Sequence, residues 1–347
     1  MIEIKKEGIL LTKTKLGFEN EGVLNPGVIR VGDEVHIFYR AFRKGNFSVI
    51  GYCRLNGPLT IAERRETPII IPQFAYESQG IEDPRITRID DLFYLTYTAY
   101  DGYNALGALA TSTDLIHFEK KGIIVPQSSF EEFKHLAECS AGLNEKYFRH
   151  YKLEYLFKKI EHKVCLWAKN VIFFPRRING NLYYMIRIKP GIQLVIISEL
   201  DMLTPSFWED YIIHLQDHIL MESIHPHESS YIGGGCPPIE TKEGWLIIYH
   251  GVTDTPNGYI YSACAALLDL ENPAKEIARL PYALFAPEHN WELKGEVNNV
   301  VFPTGAVVFE DILYIYYGAA DEQIAVASMG LQSLINELLK YNNTHEL

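Results

Sequence analysis

Positive charge is scarce in this chain. Its 347 residues carry 32 Lys and Arg against 44 Asp and Glu, a formal net charge of −12. Binding a phosphate backbone needs clustered cations, so a broad nucleic-acid surface is excluded, although a small local anion site is not. Long apolar runs are also missing. No stretch approaches the ~20 residues of a membrane-spanning helix, and Met1-Ile2-Glu3-Ile4-Lys5-Lys6-Glu7 lacks the apolar core of a secretory leader. The cysteines are few and far apart: Cys53, Cys139, Cys165, Cys236 and Cys264 form no CxxC pair and show no zinc-ligand spacing. His225 and His227 alternate in a loop without a matching carboxylate cluster. These absences predict a cytoplasmic protein with free thiols, no metal, no nucleic-acid partner and no membrane partner.

Aromatic residues are plentiful, with 22 Tyr and 17 Phe. They favour β-structure and offer flat faces for packing or for sugar rings. One pattern recurs five times: a strand, a turn rich in Gly, Asp or Asn, an aromatic strand, and often a small-residue strand. The copies run Gly27–Ala41, Arg85–Tyr100, Val171–Ile188, Pro238–Gly251 and Thr304–Gly318. Turns such as Val31-Gly32-Asp33 and Ile178-Asn179-Gly180 have hairpin chemistry. Five units predict an all-β fold, a five-bladed β-propeller, in which radial repetition leaves only short sheet edges. A β-sandwich or two stacked β-domains is the alternative. The residues ahead of each first strand would then converge on one axial pocket.

Residues 126–167 break the pattern. Phe130, Phe133, Leu136 and Ala137 fall at helical spacing, and Tyr147, Tyr151, Tyr155 and Ile160 do so loosely. One or two helices inserted between units two and three are expected, and another short helix over 331–341. The domain expectation is a single catalytic unit, 1–347, carrying the 126–167 insertion.

The run Gly80-Ile81-Glu82-Asp83-Pro84-Arg85 is the densest chemistry in the chain. A carboxylate fixed by a proline at the head of a strand, beside a guanidinium, suits a positioned acid or a substrate clamp. A surface turn with a local ion pair is the competing account. The glycine run Gly233-Gly234-Gly235 precedes no Lys-Ser or Lys-Thr, so it reads as close backbone passage and not as a phosphate loop.

Taken in order, Asn25-Pro26, Tyr39-Arg40-Ala41, Gly80 to Arg85, Phe173-Phe174-Pro175, Pro237-Pro238, Tyr249-His250-Gly251, Phe302 to Gly305 and Tyr317 to Asp321 resemble glycoside hydrolase family 130, the β-mannoside phosphorylases and related mannosidases. The resemblance covers about Asn25 to Ala327. It implies a five-bladed propeller and names Asp83 as general acid, acting by way of the mannose 3-hydroxyl. Inorganic phosphate, a co-substrate and not a cofactor, would attack the anomeric carbon with inversion and give α-mannose 1-phosphate from a β-mannoside oligosaccharide.

A phosphorolytic site needs cations or donors for its anion, whereas an inverting hydrolase needs a second carboxylate as base. Lys169, Arg187, His250 and Tyr317 are the phosphate candidates. Asn25, Arg40, Arg85, Asp101 and Asp321 are the sugar-contact candidates. Glu228 is the base if the enzyme is a hydrolase. A silent glycan-binding propeller is a third reading. The chain departs from the family in Asn170, where many members carry aspartate, and in Ile186-Arg187, where many read His-Arg. Linkage, acceptor sugar and oligomeric state, a homo-oligomer included, stay open.

Overall fold

The computed structural model describes residues 2–139, 142–149 and 163–342. The chain is all-β with few helices. Its strands are β1 (Lys5–Leu11), β2 (Gly22–Val31), β3 (Glu34–Arg43), β4 (Phe47–Asn56), β5 (Thr60–Arg64), β6 (Gly80–Ile89), β7 (Leu92–Tyr100), β8 (Ala105–Ser112), β9 (Glu119–Ile123), β10 (Lys169–Phe173), β11 (Leu182–Arg187), β12 (Ile192–Ile197), β13 (Ile219–Met221), β14 (Tyr231–Gly234), β15 (Ile239–Glu240), β16 (Trp245–Thr255), β17 (Gly258–Leu268), β18 (Glu276–Arg279), β19 (Val301–Phe309), β20 (Ile312–Ala319) and β21 (Gln323–Gly330).

The strands pair as antiparallel meanders. An eight-stranded sheet holds β2 to β5 and β6 to β9, and a single parallel bridge, Ser48 to Gly80, links the two groups. β10 to β13 form the next sheet, and β14 to β18 another. The last joins β19, β20 and β21 to the N-terminal β1, so the first and last strands meet in one sheet. The N-terminal strand was not foreseen: its Lys-Lys-Glu start hid a strand that needs a distant partner. The fourth unit also differs from the sequence expectation. Its first strand begins at Tyr231 and breaks between β14 and β15 at Gly235 to Pro238, because proline cannot donate to the ladder.

The core lies between sheets. Five apolar clusters each draw on two successive meanders, and one of them joins β2, β3 and β4 to β20 and β21. This explains the near-continuous aromatic strands. Successive side chains point to opposite faces, and here both faces are covered. In β20, Leu313, Ile315 and Tyr317 enter one cluster while Tyr316 enters another.

The predicted helix at 130–137 is present as α1 (Phe130–Ala137), with Ser129 capping Glu132 and Phe130, Phe133 and Ala137 buried. The expected helical positions Tyr151, Tyr155 and Ile160 lie outside the described residues. The C-terminal helix is present as well (Leu331–Leu338, with a 3-10 turn to Tyr341). A helix at Pro205–Ile213 was missed; its Thr204-Pro205 start is a good cap signal. Among the described residues, no helix is long and apolar enough to cross a membrane.

A second repeat lies in the loops. Glu77, Glu228 and Glu292 are fully buried. One oxygen of each accepts two backbone N–H groups, from Gln73 and Phe74, Ile224 and His225, and Glu288 and His289. The other oxygen accepts the hydroxyl of Tyr97, Tyr249 or Tyr317, from β7, β16 and β20. A cation completes each latch: Lys120, Arg279 or Lys6. In the first unit Glu19 takes Tyr39 at 2.8 Å and Arg64 at 3.0 Å. Among the described residues the third unit shows no such latch. Opposite its first strand, Ile186 holds the register that the tyrosines hold elsewhere.

Candidate active site

The first strands are interrupted at matching points. The register jumps from Leu24–Arg40 to Gly27–Phe38, from Glu82–Thr98 to Arg85–Thr96, and from Lys169–Arg187 to Ile172–Met185. Each jump is a bulge with one extra residue. Asn25, Asp83 and Asn170 sit in these bulges at φ of +49°, +48° and +56°. Asp and Asn tolerate the left-handed region better than other side-chain-bearing residues, so the bulge conformation itself selects these residue types. Arg40, Arg187 and His250 stand cross-strand from Leu24, Lys169 and Gly233. The repeat thus brings polar groups from successive units to equivalent places.

Asp83 is buried. Asn25 Nδ2 donates to its carboxylate at 2.8 Å, and Arg40 lies 3.7 Å from the same oxygen. Arg40 is held in turn by Glu82 at 2.7 Å, Ser48 at 2.9 Å and Asn46 at 3.0 Å. Arg85, adjacent in sequence, does not bond this carboxylate. Its guanidinium donates to the carbonyls of Gly235, Asp83 and Pro84, stitching the bulge to the fourth unit. Burial pushes Asp83 upward, but the charges of Arg40, Lys169 and Arg85 outweigh it and hold the carboxyl below its ordinary range.

Asp321, at φ +52°, has the opposite balance: burial dominates, Arg40 opposes it, Asp83 adds to it, and the carboxyl rises to about 6. Lys169 is lowered by burial and then by Arg187, with Asp83 and Glu82 pulling it back. Arg187 NH1 lies 3.3 Å from His250 Nε2. A guanidinium only donates, so Nε2 accepts and the ring proton sits on Nδ1. Burial, then Arg187, Arg85 and Lys169, hold His250 well below its ordinary value, so it is neutral. Gly233 makes the pairing possible: a Cβ there would lie 2.6 Å from His250 Nε2 and 2.8 Å from Arg187 Cδ.

Several buried polar atoms in these positions have no hydrogen-bond partner among the described residues: Asn25 Oδ1, Arg85 Nη2, both amide atoms of Asn170, Arg187 Nε, His250 Nδ1 and Thr304 Oγ1. They come from all five meanders. A ligand presenting both donors and acceptors, such as a sugar beside an oxyanion, is what such a set would bind.

Three sequence candidates are placed in other bonding. Tyr317 donates its hydroxyl to Glu292 at 2.6 Å. Glu228 is fully buried and committed to Tyr249 and two backbone N–H groups. The Asp101 carboxylate closes a turn on the N–H groups of Tyr103 and Asn104. His227, Glu228 and Cys264 place ligand atoms within 4.8 Å of one another, but those carboxylate oxygens belong to the latch, with Arg279 at 3.5 Å. Sequence reasoning missed Ser48 and the role of Glu82 in fixing Arg40. It also missed the latches, whose signal was legible: a glutamate 20 to 25 residues ahead of a tyrosine. An aromatic wall escaped notice too: Tyr231 and Tyr261 share a 2.6 Å hydroxyl contact, and Tyr259 stands exposed beside them.

Comparison with known proteins follows the same lines. The glycoside hydrolase 130 family model, described as beta-1,4-mannooligosaccharide phosphorylase, matches residues 12–340. A 1,2-beta-oligomannan phosphorylase of Thermoanaerobacter sp. (strain X514) is 30% identical over 96% of this chain and 99% of its own. A beta-1,2-mannobiose phosphorylase of the same organism is 32% identical over 89% of this chain and 90% of its own. Among solved structures, the beta-1,2-mannobiose phosphorylase from Listeria innocua superposes with a TM-score of 0.71 at 24% identity, covering 97% of this chain and 99% of that one; a likeness at that identity speaks to the fold.

Proposed function

The chain belongs to glycoside hydrolase family 130, and from that premise we propose that it is an inverting β-mannoside phosphorylase. The observation that carries the reading is the pairing of one held carboxyl, Asp83, with a cationic set, Lys169 and Arg187, from the neighbouring unit. Glu228, the base a hydrolase would use, is locked in its latch.

In the reaction, Asp83 delivers its proton toward the glycosidic oxygen. Lys169 and Arg187 hold phosphate, and His250 offers its Nδ1–H. A phosphate oxygen forms the new bond to the anomeric carbon from the opposite face as the glycosidic C–O bond breaks. The products are α-mannose 1-phosphate and a shortened sugar. Asn25, Arg40 and Asp321 orient the mannosyl unit, and Arg85 keeps the bulge in place. Lys169 is one of the cations that hold Asp83 ionised and one that the phosphate neutralises, so phosphate entry favours protonation of the acid. Tyr317 serves Glu292 and is left out of the phosphate site.

The linkage we propose is β-1,2, since two relatives with that named specificity align over nearly the whole chain. The architecture we propose is a five-bladed propeller in one domain, with 126–167 as an insertion. Clusters that pair successive sheets, including last with first, support it. A cytoplasmic location suits an enzyme that consumes inorganic phosphate.

The test is incubation with β-1,2-mannobiose and β-1,4-mannobiose, with and without phosphate, following the anomeric products by NMR. Phosphate-dependent release of α-mannose 1-phosphate from the β-1,2 disaccharide is expected. Free mannose formed at the same rate without phosphate would overturn phosphorolysis.

A further inference from the structure

The unit that shows no Glu–Tyr latch among the described residues is also the unit preceded by the inserted segment. Ile186, at the tyrosine register, has no hydroxyl to offer, and the next residue is Arg187. The turn after Arg187 is braced in another way. The Gln193 side chain accepts from Ile188 N–H at 2.6 Å and donates to Ile188 O at 3.0 Å. Its Nε2 also donates to the hydroxyl of Tyr147 at 3.1 Å. Both Gln193 and Tyr147 are fully buried. Tyr147 comes from the segment between units two and three, whereas every latch tyrosine comes from its own meander.

On its other side the same turn is tied to the fourth unit. Ile232 N–H donates to Pro190 O at 3.0 Å, and Lys189 Nζ lies 4.3 Å from the Tyr231 ring. The Arg187 guanidinium lies 5.4 Å from that ring. Residues 188–190 are therefore held between Gln193 and β14, and the direction of Arg187 follows from how that turn is held.

We propose that Tyr147 is a positioning residue for the anion site: through Gln193 and Ile188 it sets the turn that aims Arg187, replacing from outside the meander the latch that this unit lacks. The inserted segment then does more than cover the outside of the sheets. A change in its seating would be read at the phosphate and not at the mannosyl unit. The proposal rests on the reading of Lys169, Arg187 and His250 as the phosphate site.

The test is calorimetric titration of inorganic phosphate into the full-length protein, its Tyr147→Phe and Gln193→Met variants and the double variant, with KM for phosphate and for the mannoside measured in parallel. Loss of the Tyr147–Gln193 hydrogen bond is expected to weaken phosphate binding about five-fold, with mannoside KM unchanged. The double variant should be no worse than Gln193→Met alone. Leu334→Ala, a cavity in the remote C-terminal helix, supplies a control that is destabilised but keeps its phosphate affinity. Unchanged phosphate affinity in Tyr147→Phe despite a lowered melting temperature would overturn the proposal and leave a simple brace. Equal losses in phosphate and mannoside KM, or additive effects in the double variant, would also overturn it. If the unaltered protein binds no phosphate, the phosphorylase reading falls, and this proposal with it.

Discussion

Asp321 offers a quantitative test of the electrostatics at the site. Its carboxyl is raised from 3.8 to about 6, first by burial, with Asp83 and Glu82 adding and Arg40 and Lys169 opposing. A folded-state value above the unfolded one means that the folded protein binds the proton more tightly. Stability from this group is then full below the unfolded value and is lost as pH rises through about 6. At ~1.4 kcal/mol per pKa unit the whole effect is ~3 kcal/mol, of which ~2 kcal/mol falls between pH 4 and pH 7.

The perturbation is Asp321→Asn, which keeps the shape and removes the titration. Urea denaturation of both proteins across that pH range cancels, in the difference, the titrating groups that do not interact with Asp321. Wild-type stability should fall relative to the variant by ~2 kcal/mol as pH rises. Parallel curves would refute the raised value and with it the buried, like-charged setting assigned to Asp321. Opposite slopes would mean that Arg40 and Lys169 outweigh burial.

Asp83→Asn should lower kcat by ~100-fold to 10,000-fold on mannobiose but far less on an aryl mannoside whose leaving group needs no proton; equal losses on both would contradict the acid role. Gly318→Ala would place a Cβ 2.0 Å from Asn25 Oδ1 and push Asn25 off Asp83. A fall in kcat/KM of about 100-fold is expected from such a displacement, with the fold retained by circular dichroism. Arg187→Met should raise phosphate KM about 10-fold to 100-fold, the worth of a charge-assisted bond, and leave mannoside KM within two-fold in steady-state assays. Tyr97→Phe strips one donor from buried Glu77 and should reduce unfolding free energy by ~1.5–3 kcal/mol in urea titrations; a change under ~0.5 kcal/mol would show that the latch is not a stabilising unit.

Much of this protein was legible before any coordinates. Hairpin turns and aromatic strands are local signals, and they place most of the sheet strands, from β2–β3 to β20–β21. The Asp83 loop stood out by its carboxylates, proline and arginine, and the structure adds that its left-handed bulge leaves few residue types available. The latches were legible in principle, but each glutamate lies at least 20 residues from its tyrosine, and nothing local joins the two.

Tertiary structure decided the rest. The pairing of β1 with β21 spans nearly the whole chain, and no local propensity encodes a partner that distant. The ion partner of Asp83 is Arg40 from another meander, while the adjacent Arg85 turns to backbone carbonyls. Tyr317 and Glu228 carry the right chemistry for the site, yet burial and hydrogen bonding direct them into latches. A side chain's chemical type is written in the sequence. Its charge state and its partners are set by which distant groups the packed sheets bring within a few ångströms, because desolvation and Coulomb interactions depend on spatial distance and not on separation along the chain.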